Sequence, residues 1–311
     1  MLTELRKKDL EKQGYRIVGN HSAIKVCYWN KKCIRDKGVC YKNTFYGIES
    51  HRCVQMTPAF VCSQRCVWCW RDIDFTSAKW DGPIDEPKDI VEGCIEAHKK
   101  YIQGFKSGGD EKLFNEAMNP KHFAISLSGE PTFYPRLPEL IKEIKVRDMT
   151  AFLVTNGTNP DMIKKLLDEQ PTQLYITLPA PDEKEYIKAC SPLIKDGWSK
   201  ILESLSLLNK FDRNVIRLTL VKGVNMNNIE EYAKLIKKYN PMFVEVKAYV
   251  WVGHSKERLE IKNMPIHEEI IEFANKLAEL SRYNVIDEKK ESRVVLLSNK
   301  NKEIKKALSF S

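Results

Sequence analysis

Short apolar, often β-branched runs recur along the chain at residues 54–61, 123–127, 151–154, 174–178, 215–221 and 243–250. Runs of this length, bounded by polar and turn residues, predict strands. Between them, residues 90–103, 137–146, 162–167, 201–208 and 229–239 repeat their apolar positions at helical spacing, which predicts helices laying one face on a sheet. Pro87, Pro138 and Pro160 fall near the expected helix starts, where a missing N–H costs little. Alternating strands and helices imply parallel strands joined by right-handed crossovers. Six such units predict an α/β fold, a partial TIM-type (β/α)6 barrel whose reactive groups gather at the C-terminal ends of the strands. The core is expected at 55–285, between an N-terminal extension, 1–54, and a C-terminal one, 286–311. After the last barrel strand, 266–280 reads as a helix, and 285–286 and 294–297 as extra strands.

Directly after the first predicted strand come Cys62, Cys66 and Cys69, spaced C-x3-C-x2-C. A short loop of this spacing can turn three thiolates toward one metal centre. Zinc sites and ordinary iron–sulfur clusters take four protein ligands, and no fourth cysteine continues the run. The spacing fits a [4Fe–4S] cluster with one iron open to a substrate or cofactor; a zinc site completed from elsewhere is the alternative. Phe60, Trp68 and Trp70 supply apolar bulk that would shield a cluster from water.

With 311 residues the chain can bury a large core, as one domain or two. It has no apolar run long enough to cross a bilayer, and its charged N-terminus lacks the apolar centre of a signal peptide. These features predict a cytoplasmic protein with no membrane partner, where thiols stay reduced. Seven of the nine cysteines lie between Cys27 and Cys69, and in that compartment such crowding points to metal rather than disulfides. The 51 Lys and Arg against 42 Asp and Glu give a net charge of +9, compatible with a polyanion such as RNA. Lys31, Lys32, Arg35 and Lys37 sit among the N-terminal cysteines and are the candidates for phosphate contacts. Trp29, Trp68, Trp70 and Trp251 are candidate stacking partners. Lys289, Lys290, Lys300, Lys302, Lys305 and Lys306 read as a solvated face.

The second predicted strand ends in Ser128, Gly129, Glu130, Pro131 and Thr132. Gly129 lets the backbone approach a ligand, Pro131 stiffens the turn, and Glu130 can accept from an ammonium group. The third strand ends in Thr155, Asn156 and Gly157, either a second polar tip at the same face or a plain turn. Further upstream, Cys27, Cys40 and Cys53 are spaced C-x12-C-x12-C. Their segment has few aliphatic residues to bury cysteines, which favours a second metal centre, again with an open iron, over a structural role. Cys33, Cys94 and Cys190 lack such context and read as structural.

The loop of Cys62, Cys66 and Cys69 carries the hallmark of the radical S-adenosylmethionine (SAM) superfamily. The Ser128-Gly129-Glu130-Pro131 turn resembles that superfamily's Gly-Gly-Glu-Pro motif, which holds the SAM amino group, with Ser128 in place of the first glycine. Together with the Cys27, Cys40 and Cys53 triad, these residues make the chain similar to the archaeal 4-demethylwyosine synthases of tRNA wybutosine biosynthesis. The resemblance runs from about Cys27 to the last barrel strand. It implies two [4Fe–4S] clusters, on Cys62, Cys66 and Cys69 and on Cys27, Cys40 and Cys53. It also implies SAM held by Ser128, Gly129 and Glu130, with Asn156 at the ribose. In such an enzyme a 5′-deoxyadenosyl radical takes hydrogen from the N-methyl group of N1-methylguanosine beside the anticodon of phenylalanine tRNA. Pyruvate donates a two-carbon unit, its carboxyl carbon is lost, and ring closure gives the tricyclic base. A flavodoxin-like reducing domain, attached in eukaryotic members, has no room here. A separate electron donor such as a flavodoxin or ferredoxin is therefore expected, and the protein is expected to be a monomer.

Two sites compete for pyruvate. The open iron of the N-terminal cluster could chelate it, or Lys42, next but one to Cys40, could form a Schiff base with its keto carbon. Lys42 could equally be a surface or RNA-contacting lysine. Two other functions share part of the pattern. A radical SAM activase of a glycyl-radical partner protein would not need the N-terminal triad. A non-enzymatic zinc or iron–sulfur module that binds RNA would not need the Gly129-Glu130-Pro131 turn.

Overall fold

The computed structural model describes residues 2–299. Ten strands form one sheet in the order β1-β2-β3-β4-β5-β6-β7-β8-β10-β9. The six expected barrel strands are β3 (Cys53–Thr57), β4 (His122–Ile125), β5 (Thr150–Thr155), β6 (Gln173–Thr177), β7 (Asn214–Leu220) and β8 (Phe243–Ala248). They run parallel, each paired to the next. A hairpin of β1 (Arg16–Val18) and β2 (Ser22–Ile24) adds antiparallel to β3. At the far side β10 (Val294–Asn299) joins β8 antiparallel and carries β9 (Tyr283–Lys289) outside it. The barrel is therefore partial, with β1 and β9 as its open edges.

The boundaries expected at 54/55 and 285/286 fall inside β3 and β9, so both extensions share the sheet of the core. Helices Pro87–Ile102, Leu137–Lys145, Pro160–Lys165, Gly197–Leu207, Ile229–Tyr239 and His267–Ser281 correspond to the expected ones. Pro87, Pro138 and Pro160 each occupy the first or second helical position, where no intrahelical donor is lost. Among the described residues, further α-helices lie at Glu4–Lys12, Tyr28–Ile34, Tyr41–Tyr46, Glu111–Ala117 and Glu183–Cys190.

Side-chain alternation along the strands divides the core in two. Leu153, Ile176, Ile216, Leu218, Val244 and Val246 point to one face and pack under the crossover helices. Phe152, Tyr175, Val215 and Phe243 point to the other, where Phe45 and Tyr46 of helix Tyr41–Tyr46 cover them. That short helix from the N-terminal extension is what brings Cys40 and Lys42 onto the inner face.

Candidate active site

At the C-terminal end of β3 the chain crosses to the end of β4. Gly129 sits at φ +68°, and a Cβ there would collide with the Ala59 carbonyl and the Phe60 backbone, so only glycine fits. Glu130 N–H donates to Val61 O at 2.7 Å, and Thr57 Oγ1 donates to Ser128 O. These bonds fix the start of the Cys62–Cys69 loop against the β4 turn. Ser128 is buried and its Oγ receives Tyr15 Oη at 3.4 Å.

Glu130 is buried beneath this turn. Its Oε1 accepts from Thr132 N–H at 3.1 Å, Thr132 Oγ1 at 2.7 Å and Thr155 Oγ1 at 2.6 Å. Oε2 accepts from Asn156 N–H at 2.7 Å and keeps capacity for a further donor. Burial raises the Glu130 pKa, and these four bonds oppose that rise. The Asn156 amide donates to Ser63 Oγ at 3.1 Å and faces Cys62 Sγ at 3.6 Å. The tips of β3, β4 and β5 thus meet at one point, as the sequence expects of Cys62, Glu130 and Asn156.

The rest of the cysteine loop is pinned from both sides. Arg65 N–H donates to Cys190 O at 2.7 Å and Val67 N–H to Ala189 O at 2.9 Å, docking it on the end of helix Glu183–Cys190. Arg258, from the segment after β8, donates to Val67 O at 3.2 Å and to Cys69 O. The Arg71 guanidinium lies beside the Cys69 and Cys62 thiols. Burial pushes the Cys62 thiol up to about 12, with Arg71 opposing it, so ligation by a cation is what would make it a thiolate. Cys190, expected to be structural, is buried and lies next to the Cys66 thiol. A cavity of about 260 Å³ adjoins the loop, with Phe60, Arg71, Ser128, Tyr15 and Trp80 in its wall.

The N-terminal triad also converges. Cys27 and Cys40 are the N-caps of helices Tyr28–Ile34 and Tyr41–Tyr46, and Cys53 begins β3. The buried Asn30 amide gathers the carbonyls of Ser50, His51 and Cys53 at 3.2, 3.0 and 3.3 Å. Ser50 Oγ bridges the Cys40 backbone N–H at 3.0 Å and Cys40 Sγ at 3.3 Å. The Cys27 and Cys53 thiols interact with each other and with Cys40. Burial pushes Cys27 up to about 11 and raises Cys53 as well. Cys33 instead bonds His51 Nδ1 at 3.4 Å, and Cys94 belongs to the apolar core.

Among the described residues, the three metal-ligating side chains whose ligand atoms all lie within 4.8 Å of one another are Glu49, His51 and Glu116, not either cysteine triad.

On the inner face, Lys42 and Arg217 share the Tyr175 ring, at 4.7 and 4.9 Å from its centroid, and Lys42 also lies 5.2 Å from that of Phe152. Arg217 donates Nε and Nη2 to Glu245 Oε2 at 3.0 and 2.9 Å, and Nη2 also reaches Tyr41 Oη. Tyr46 Oη donates to Glu245 Oε1 at 2.9 Å. Lys247 lies 5.1 Å from the Tyr41 ring centroid and donates to Ser292 O at 2.9 Å. Burial and then Arg217 lower the Lys42 pKa, while Glu245, Cys53 and Cys40 hold it up. Arg217, Glu245 and Lys247 escaped the sequence reading. Their signal was a charge at alternate positions of otherwise apolar strands.

Lys31, Lys32 and Arg35 lie on helix Tyr28–Ile34 and its C-cap, with Lys37 just beyond. Lys31 and Arg35 cover the Phe105 ring, and Lys32 covers Tyr28 and Trp29. Trp29, Trp68, Trp70 and Trp251 are all partly buried. Trp70 stacks on Tyr15 at 5.8 Å, and Trp251 is anchored by a bond to Leu259 O at 2.8 Å. In the C-terminal basic set, Lys289 and Lys290 pair with Glu291 and Glu268; Lys300, Lys302, Lys305 and Lys306 lie outside the described residues. No described helix is long and apolar enough to cross a membrane.

Comparison with known proteins agrees with this geometry. Residues 56–236 match the radical SAM superfamily and residues 238–299 match the wyosine base formation domain. The chain is 49% identical to the S-adenosyl-L-methionine-dependent tRNA 4-demethylwyosine synthase of Pyrococcus horikoshii, over 92% of this chain and 86% of that one. It is 43% identical to the enzyme of the same name from Methanocaldococcus jannaschii, over 98% of this chain and 99% of that one. A solved structure of TYW1 with a lysine–pyruvate adduct bound superposes with a TM-score of 0.90 at 41% identity, covering 99% of this chain and 100% of that one. By these matches the chain is a radical SAM enzyme and belongs to the family of S-adenosyl-L-methionine-dependent tRNA 4-demethylwyosine synthases.

Proposed function

We propose that the chain condenses N1-methylguanosine, next to the anticodon of tRNA-Phe, with a two-carbon unit of pyruvate to give 4-demethylwyosine, and that Lys42 carries the pyruvate. The observation that carries this reading is the setting of Lys42. Its amine is partly buried between two aromatic rings, is pushed toward the neutral form by burial, and lies beside Cys40 and Cys53. A solved relative holds a lysine–pyruvate adduct. The neutral amine adds to the keto carbon, the keto oxygen leaves as water, and an imine remains.

Cys62, Cys66 and Cys69 would hold one [4Fe–4S] cluster and Cys27, Cys40 and Cys53 a second. Ser128, Gly129 and Glu130 would hold SAM through the free capacity of Glu130 Oε2, with Asn156 reaching its ribose. Bound cluster and SAM would supply a 5′-deoxyadenosyl radical that abstracts hydrogen from the N-methyl group. The protein orients the partners, keeps water out, and receives a base unstacked from its loop. None of Lys31, Lys32, Arg35 and Lys37 pairs with a carboxylate among the described residues, which supports a role for them with phosphates. A separate flavodoxin or ferredoxin would reduce the protein, acting as a monomer in the cytoplasm.

The test is anaerobic turnover with SAM, pyruvate, reductant and tRNA bearing N1-methylguanosine, alongside borohydride trapping of labelled pyruvate. A tricyclic nucleoside and a label on Lys42 are expected. SAM cleavage without tricyclic product would defeat the reaction, and label on another lysine would defeat the assignment of Lys42.

A further inference from the structure

The inner face gathers several cations. Around Tyr41 and Tyr175 stand Lys42, Arg217 and Lys247, with Arg293 acting on Lys247 from the start of β10, facing the buried carboxylate of Glu245 and the Cys40 and Cys53 thiols. Glu245 pairs with Arg217 at 2.9 Å, and Lys247 forms no ion pair with a carboxylate among the described residues. Glu245 is already engaged, accepting two bonds from Arg217 and one from Tyr46.

Lys247 is unlike the other described lysines that carry an ion pair. Its ammonium donates to one neutral acceptor, Ser292 O at 2.9 Å, leaving two N–H bonds for a ligand. Arg217 commits Nε and Nη2 and leaves Nη1. Both cations are partly exposed on the inner face, so a small solute can reach them. A partly buried ammonium such as that of Lys247 recruits an anion, because desolvating a charge without a counter-charge is costly.

We propose that Lys247, assisted by the free Nη1 of Arg217, is the carboxylate anchor of a small 2-oxo acid held on the inner face beside Lys42. This deepens the reading that pyruvate is the two-carbon donor and rests on it. The anchor seats the carboxylate on one cation while the adjoining keto carbon faces the Lys42 amine. It also distinguishes a 2-oxo acid from a neutral ketone of the same size, since the neutral compound leaves the lysine unpaired.

The experiment uses full-length, cluster-reconstituted protein without oxygen and two probes. Oxamate, an isostere of pyruvate that forms no imine, is titrated calorimetrically into the parent, Lys247→Met and Lys247→Arg proteins. Pyruvate and the neutral ketone hydroxyacetone are trapped with borohydride across a concentration series. Loss of a charge-assisted contact predicts oxamate affinity and pyruvate half-saturation weakened at least about tenfold in Lys247→Met. Substantial recovery is expected in Lys247→Arg, and hydroxyacetone trapping should be unchanged. Equal oxamate affinity in parent and Lys247→Met, or no oxamate binding to the parent, overturns the anchor. Lys247-dependent oxamate binding without any trapped adduct supports the anchor while removing the Schiff base on Lys42, so the two readings fail separately.

Discussion

Glu245→Gln tests the electrostatic design of the inner face. Glu245 is fully buried, and Arg217 is 15% exposed. Glutamine keeps the shape and an acceptor for Tyr46 but removes the charge that Arg217 meets through two bonds at 3.0 and 2.9 Å. Removing one partner of a buried pair typically costs about 3–5 kcal/mol, because the survivor remains charged and unpaired. The Tyr175 ring, 4.9 Å from the guanidinium, and partial access to water place the expected loss near the lower end, about 3 kcal/mol. In anaerobic urea unfolding with a slope of about 3 kcal/mol/M, the midpoint falls by about 1 M. Arg217→Met has the complementary effect, leaving Glu245 without its cation. The double variant loses both charges and should be more stable than the summed single effects by at least about 1.5 kcal/mol. A loss below about 1 kcal/mol for Glu245→Gln, or strict additivity in the cycle, would refute the argument that this pair is a closed buried unit.

Three further outcomes follow from the same geometry. Cys62→Ala and Cys40→Ala should each lower iron after anaerobic reconstitution from about eight to about four per chain, and full loading of Cys40→Ala would exclude the second cluster. Replacing Lys31, Lys32, Arg35 and Lys37 together by alanine should flatten the plot of log tRNA affinity against log salt by a slope of about 3; an unchanged slope removes them from the RNA interface. Burial and Arg217 hold Lys247 down to about 8 from an ordinary 10.5. Between those values the unfolded chain binds a proton that the folded chain does not, so this residue's contribution to stability rises with pH across the window and is flat below it. The stability of the parent relative to Lys247→Met should therefore rise by about 3 kcal/mol from pH 8 to pH 10.5, and a flat difference in urea unfolding would show that Lys247 is not desolvated.

The parallel strands were legible because each is a short apolar run followed by a helix with its own periodicity, and local patterns suffice for such units. The hairpin of β1 and β2 was not, since strands of three residues cannot display a period. Nor could local pattern show that β3 and β9 continue through positions 54 and 285. The Cys62, Cys66 and Cys69 loop announced itself because its cysteines are near neighbours in sequence. Glu130 was read as a ligand for an ammonium, and the fold adds a second duty, bracing the ends of β4 and β5 through Thr155 and Asn156. Arg71 and Arg258 grip the cysteine loop from irregular segments with no local signature. Arg217, Glu245 and Lys247 become a group only when β7 and β8 pair, with Arg217 opposite Glu245 in register.

Helix Tyr41–Tyr46 connects the two halves of the site. Its N-cap is Cys40, its next turn carries Tyr41 and Lys42, and Phe45 and Tyr46 plug the inner face. Those two aromatic side chains are fully buried, so packing alone can hold the helix on the sheet. The N-cap end depends on polar contacts instead: the Cys40 N–H and Sγ bond Ser50 Oγ, and Asn43 reaches Ile48 O at 2.9 Å. Metal ligation at Cys40 would add a strong constraint two residues from Lys42, at the end where packing is weakest. Stripping iron by chelation should therefore lower borohydride trapping of pyruvate on Lys42 while leaving the far-ultraviolet circular dichroism intact. Trapping that is equal before and after iron removal would mean that packing by Phe45 and Tyr46 positions the lysine without help.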